Sequence, residues 1–190
     1  LTDQGRCHTV GADRLPSGRG FGEPLSLTVE LAAGAKVIAV FAAQKDGRRL
    51  LAANDGRGFV CPEVEMISNQ KAGKQVLNPG KDAVASVAVS VKPSHDAVAV
   101  VGQNKKILMF PLSELPEMSK GRGVKLQHFA KGGMSDVKTF TRADGLTWAW
   151  GQDKTRTFTD FEEIEGARAS AGKPAPAGFP KNGLFGTEND

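Results

Sequence analysis

Basic residues set among glycines are the groups in this chain best suited to chemistry. The run SKGRGVK (119–125) places Lys120, Arg122 and Lys125 around Gly121 and Gly123. Glycine lets the backbone turn where a Cβ would clash, and it can expose N–H groups to an anion. Lysine supplies a point charge; arginine supplies a planar fork that matches a phosphate. In NQKAGK, Lys71 and Lys74 lie on either side of Gly73. Arg19 lies between Gly18 and Gly20, and Lys173 follows Gly172 before Pro174. A second basic set occupies polar turns further upstream: Arg6, Arg57, Lys105, Lys106, Lys154 and Arg156. These turns are expected at the opposite end of a strand and are read as lesser contributors. Such groups suit the phosphates of a long polyanion, and contacts of that kind carry no sequence information.

The loops recur because a larger unit recurs. Four segments share one order: DQGRCHTVGADRLPSGRGFGEPL (3–25), NDGRGFVCPEVEMISNQKAGKQVL (54–77), GQNKKILMFPLSELPEMSKGRGVKLQHF (102–129) and GQDKTRTFTDFEEIEGARASAGKPAPAGF (151–179). Each passes from a polar turn through a short apolar strand and an acidic or Leu-Pro stretch to a glycine-basic loop, with a period of about 50 residues. Strand patterns also lie between these units. Residues 36–41 pair with 49–53 around KDG, 85–91 with 97–101 around SHD, and 136–141 with 146–150 around RADG in this reading. The strand at 106–110 then follows 97–101 across GQNK. A full period thus holds about four strands, the content of a propeller blade. The predicted fold is all-β: a propeller-like disk of four-stranded blades that displays its basic loops side by side on one rim. Helical signals are confined to single turns at 112–118, which Pro116 ends, and at 160–166. Residues 167–182 suit a loose final blade or linker, so one domain is expected over 1–182 with a tail at 183–190.

At 190 residues, the chain is long enough for one domain with a real core. The net charge of +4 is concentrated: residues 103–131 hold Lys105, Lys106, Lys120, Arg122, Lys125 and Lys131 against Glu114 and Glu117. A basic region on a near-neutral body is a directional hint of nucleic acid. Cys7 and Cys61 fall at equivalent points of two repeats and imply no disulfide framework. No apolar run is long enough to span a membrane, and no signal peptide is visible. The chain opens inside a repeat, which reads as a piece of a longer, reduced, cytoplasmic protein. Ser94, His95 and Asp96 are neighbours in a turn and cannot converge as a catalytic triad. His8 and His128 lie beside strands and read as structural. Glu63, Glu65, Glu162, Glu163 and Glu165 read as solvated acidic turns. Trp148 and Trp150 should point the same way into packing. Phosphate-loop, HExxH, GxSxG and CxxC motifs are all missing, and the chain contains no tyrosine.

The ordered motifs LPSGRGFGEPL (15–25), GFVC (58–61), NQKAGK (69–74) and LMFPLSELPEMSKGRG (108–123) resemble those of the C-terminal domain of the A subunit of bacterial DNA topoisomerase IV. The likeness runs from Leu1 to about Phe161 and weakens in ARASAGKPAPAG. It implies a β-pinwheel whose blades exchange strands, and double-stranded DNA bound along the outer edge. The sister gyrase protein carries a Gln-Arg-Arg-Gly-Gly-Lys-Gly box that this chain lacks. That departure favours topoisomerase IV and modest bending over tight wrapping. Family pinwheels hold five or six blades; four repeats imply either a blade missing from this piece or an open ring. The resemblance further implies a non-catalytic part of an ATP- and magnesium-dependent enzyme, partnered by the B subunit (ParE). The tyrosine that cuts DNA would lie in another part of that enzyme, outside these 190 residues. The resemblance places the enzyme in the cytoplasm at the nucleoid, with peripheral membrane association of the whole enzyme as a further expectation. The alternative is a propeller scaffold for protein partners, with Phe21, Met118 and Phe179 as its candidate anchors.

Overall fold

Strands buried on both faces need apolar residues at successive positions, and RRLLAA, RGFVCP, AVAVVG and KILMFP supply them. A computed structural model describes residues 1–16, 18, 20–151 and 153–186. Its strands are β1 (Arg6–Cys7), β2 (Arg48–Ala53), β3 (Arg57–Pro62), β4 (Lys74–Gln75), β5 (Ala85–Ser90) and β6 (Ala97–Gly102). They continue with β7 (Lys106–Pro111), β8 (Val124–Lys125), β9 (Met134–Phe140), β10 (Leu146–Ala149), β11 (Thr155–Phe158) and β12 (Lys173–Pro174). Single 3-10 turns occur at Leu112–Glu114 and Phe161–Glu163, where the short helical signals lie.

Two four-stranded antiparallel sheets, β5-β2-β3-β8 and β9-β6-β7-β12, form the middle of the molecule. Two-stranded sheets, β1-β4 and β10-β11, flank them. Alternation along each central strand sends side chains to two different cores. Leu50, Ala52 and Val60 join Val98, Val100, Leu108 and Phe110 between the two central sheets. Leu51, Ala53, Phe59 and Cys61 point the other way, onto Cys7 of β1 and Val76 and Leu77 just after β4. Ala97, Ala99, Val101, Ile107 and Met109 pack against Leu146 and Trp148 of β10, joined by Phe161 and Phe185 from the segments after β11. The cores therefore alternate with the sheets. Phe185 is 1 % exposed, so packing reaches beyond residue 182.

The expected hairpins within the linking segments are not formed. β5 pairs with β2 while β6 pairs with β7 and β9, so the SHD turn carries the chain from one blade to the next. RADG does the same between β9 and β10. Residues 36–41 form no strand beyond a Thr2–Val37 bridge, because β3 and β5 already occupy both edges of β2. The true hairpins turn at the starts of repeats two, three and four, joining β2 to β3, β6 to β7, and β10 to β11.

Candidate nucleic-acid interface

Three of the glycine-basic loops end in a two-residue strand that docks on the blade of the preceding repeat. β4 pairs with β1, β8 with β3 and β12 with β7. The glycine before each short strand is required. Gly73, Gly123 and Gly172 have φ of 72°, 76° and 73°. A Cβ there would sit 2.5 Å from the Cys7 carbonyl oxygen, 2.2 Å from that of Gly58 and 2.6 Å from that of Ile107. Docking and loop composition are thus one property: the glycines that make the loop bend also let it approach the neighbouring strand.

The loops are stitched to one another. The Gly121 N–H donates to the Val76 carbonyl (2.9 Å), and the Asn78 N–H donates to the Gly121 carbonyl (2.7 Å). One repeat further on, the Ala169 N–H donates to the Leu126 carbonyl and the His128 N–H to that of Ser170, both at 2.9 Å. Arg168 adds a 2.7 Å bond from Nη1 to the Lys125 carbonyl. Arg6 holds the second-repeat loop in the same way, donating from Nη1 to the carbonyls of Ala72 and Gly73. The loops of repeats two, three and four therefore stand next to each other. Arg6, Asn69, Gln70, Lys74 and Lys120 line a shallow groove of about 540 Å³ where two of them meet.

The turn bases do not lie far from the loop bases, contrary to the expectation from sequence. The cross-strand register sets Arg6 opposite Gln75 and next to Lys74, and Arg57 opposite Lys125. It sets Lys106 opposite Pro174, beside Lys173. The partner strand comes from the next repeat, so the turn of one unit meets the loop of the following one.

The cations differ in what already holds them. Arg122 pairs with Asp55 at 2.9 Å, and Lys74 pairs with Glu65 at 3.4 Å while also donating to the Glu65 carbonyl. Lys173 donates to the Glu162 carbonyl and Lys105 to the Lys181 carbonyl, both neutral acceptors. Lys71, Lys120, Lys125 and Lys106 have no acidic partner within 4.0 Å among the described residues. Lys71 and Lys120 are exposed, and Lys125 and Lys106 are partly so. Arg19 lies outside the described residues. Lys81, Lys131 and Lys181 recur at the loop-to-strand return of successive repeats, and this common spacing is the sequence signal that marks them as further candidates.

Several other residues depart from expectation. Glu63 is not solvated: it is 2 % exposed and sits 2.8 Å from Arg49 Nε, with the Gln44 N–H donating to its Oε2. Trp148 is buried, but Trp150 is 52 % exposed because β10 ends at Ala149. Among the proposed protein-binding anchors, Met118 and Phe179 pack against cores and Phe21 is exposed. His95 clamps two blades: its Nδ1 lies 2.8 Å from Thr139 Oγ1, whose hydroxyl donates to the Ser90 carbonyl. Cys7 and Cys61 are free and buried, and burial pushes the Cys61 thiol up to about 12. Among the described residues, no helix is long and apolar enough to cross a membrane.

Blades that complete themselves with a strand from the following repeat, set in a row with their basic loops adjacent, define the β-pinwheel class. No protein-family model matches the chain. It is 44% identical over 185 residues to the A subunit of DNA topoisomerase 4 from Caulobacter vibrioides, covering 97% of this chain and 24% of that one. It is 36% identical over 187 residues to the same protein of Rickettsia bellii, covering 97% and 25%. The solved E. coli ParC C-terminal domain superposes with a TM-score of 0.82 at 26% identity, covering 95% of this chain and 76% of that one. The chain is homologous to the C-terminal part of topoisomerase IV A subunits. It spans about a quarter of the length of the curated relatives it matches.

Proposed function

We propose that this domain is a non-catalytic, sequence-independent clamp for double-stranded DNA. In this reading it serves a type II topoisomerase by holding a duplex along the basic loop row and bending it modestly. The carrying observation is the threefold cross-strand repeat of basic residues: Arg6 beside Lys74, Arg57 opposite Lys125, and Lys106 beside Lys173. A row of fixed cations with a regular step matches a phosphate backbone, whose charge repeats without reference to base sequence. Smooth bending of a site of two to three turns costs of order 1–6 kcal/mol, so several contacts must act together. Lys71, Lys120 and Lys125 lead the site, followed by Lys106, Lys105 and Lys173; Arg122, Lys74 and Arg19 complete the proposed set. The whole enzyme would be cytoplasmic and nucleoid-associated and would work with its B subunit in decatenation and relaxation. Its ATP, magnesium and cutting tyrosine belong to its other parts.

The test is charge reversal of Lys71, Lys120 and Lys125 together, with DNA retention read by mobility shift. Loss of retention with an unchanged melting temperature is expected. Unchanged retention would overturn the proposal and leave the scaffold reading.

A further inference from the structure

The junctions that stitch neighbouring loops are alike except at one place. Where the loops of repeats two and three meet, Gly121 makes both bonds: its N–H donates to the Val76 carbonyl, and its carbonyl accepts from the Asn78 N–H. Where the loops of repeats three and four meet, two residues share the task. Ala169 donates to the Leu126 carbonyl, and Ser170 accepts from the His128 N–H. Leu126 and His128 are the counterparts of Val76 and Asn78, counted from the docked strands β8 and β4. The fourth loop therefore carries one more residue at this point. Ala169 there has φ of 67°, a left-handed backbone that a Cβ disfavours.

Between the stitched positions lies Leu77 in the first junction and Gln127 in the second. Leu77 is fully buried, and Gln127 is 1 % exposed. The Gln127 Nε2 donates to the Ala171 carbonyl at 3.0 Å and to the Lys106 carbonyl at 3.3 Å. Two carbonyls on one side fix which end of the amide faces them, because only the nitrogen can donate. Gly172 leaves room for it: a Cβ there would fall 2.6 Å from Nε2. The Gln127 Oε1 is buried and has no hydrogen-bond partner among the described residues. A buried amide with one atom unpaired is a poor way to stabilise a place that Leu77 fills with hydrocarbon. It is a good way to hold separate segments at a fixed distance.

The segments it holds carry three of the basic residues. Gln127 follows Lys125 by two residues, Lys106 begins β7, and Ala171 precedes Lys173 by two. We propose that Gln127 is a positioning residue for DNA binding. Its amide fixes the spacing of the backbone at Lys106, Lys125 and Lys173, at the junction where the extra residue of the fourth loop loosens the main-chain stitch. Arg168, which donates to the Lys125 carbonyl, supports the same backbone from the other repeat. The inference rests on the DNA-clamp reading above. Buried as it is, Gln127 touches no phosphate; it acts through the lysines. A cation already held in place is ordered before DNA arrives, so less ordering entropy is lost on contact.

The experiment is an anisotropy titration of a DNA duplex at several salt concentrations, with Q127M and Q127L beside wild type. Methionine fills a similar volume without the N–H, and leucine reproduces the side chain at residue 77; circular dichroism checks that both fold. Neither variant removes a charge, yet the log–log salt slope should shrink by about 0.9 or more, the share of at least one phosphate contact. Lysine removal then locates the loss. K125A should reduce the slope by about 0.9 in wild type and by clearly less in Q127M, while K71A should reduce it by about 0.9 in both. A purely structural role for Gln127 would lower the melting temperature and leave these slopes alone. A wild-type slope near zero would remove the DNA-clamp reading and this inference with it. A steep wild-type slope that Q127M and Q127L both keep would overturn this inference alone. So would equal K125A effects in the two backgrounds, a K71A effect that shrinks along with that of K125A, or unfolding of both Gln127 variants, which would make the amide a requirement of the fold.

Discussion

Lys120 and Arg122 stand two residues apart in one loop and differ in what already neutralises them. Arg122 has Asp55 at 2.9 Å, and Lys120 has no acidic partner among the described residues. An exposed ion pair is weak, but it competes with a phosphate for the same guanidinium. K120A should therefore reduce the log–log salt slope of DNA binding by about 0.9, and R122A by clearly less. Equal reductions in an anisotropy titration would contradict the distinction. His95 supplies a second test. Burial, with Lys92 and Lys138 nearby, lowers its pKa below the ordinary 6.5, against the opposing pull of Asp96 and Asp144. The unfolded chain then takes up the proton more readily than the folded one, so stability rises with pH in this window. The contribution is complete above about pH 6.5 and is lost as pH falls through that value toward the lower folded pKa. Melting temperatures of wild type should drop between pH 7 and 5 by more than those of H95N. Parallel curves would show that the His95–Thr139 contact between blades carries no such linkage.

At the scale of elements, the two-residue strands β4, β8 and β12 join each blade to the next repeat. G123A should detach β8 from β3. Its Cβ would fall 2.2 Å from the Gly58 carbonyl oxygen at a φ of 76°. Strain and collision together should destabilise the fold by roughly 2–5 kcal/mol, read by chemical denaturation. A change within a few tenths of a kcal/mol would mean that β8 adapts without its glycine. The strands themselves are legible in the sequence, because central strands buried on both faces show as apolar runs in RRLLAA, AVAVVG and KILMFP. Their partners are not. A turn such as SHD or RADG looks the same whether it closes a hairpin or carries the chain across to another blade, since alternation records faces and not neighbours. The burial of Glu63 is hidden for a related reason: it depends on Arg49 across the sheet, a contact that local composition does not encode.

Across the whole molecule, the row of loops is legible because the repeat itself is legible. What sequence does not reveal is the convergence of Arg6, Arg57 and Lys106 on the loop bases, which arises only when each blade takes its last strand from the following repeat. That exchange sets the turn bases of one repeat beside the loop bases of the next, and the proposed function reads these as one cationic track. The track is what the proposed function rests on. Its most direct test is the salt dependence of binding to duplexes of unrelated sequence. Four to six phosphate contacts predict a log–log slope of about −4 to −5, the same for every duplex. A slope near zero, or one that changes with base sequence, would contradict the account.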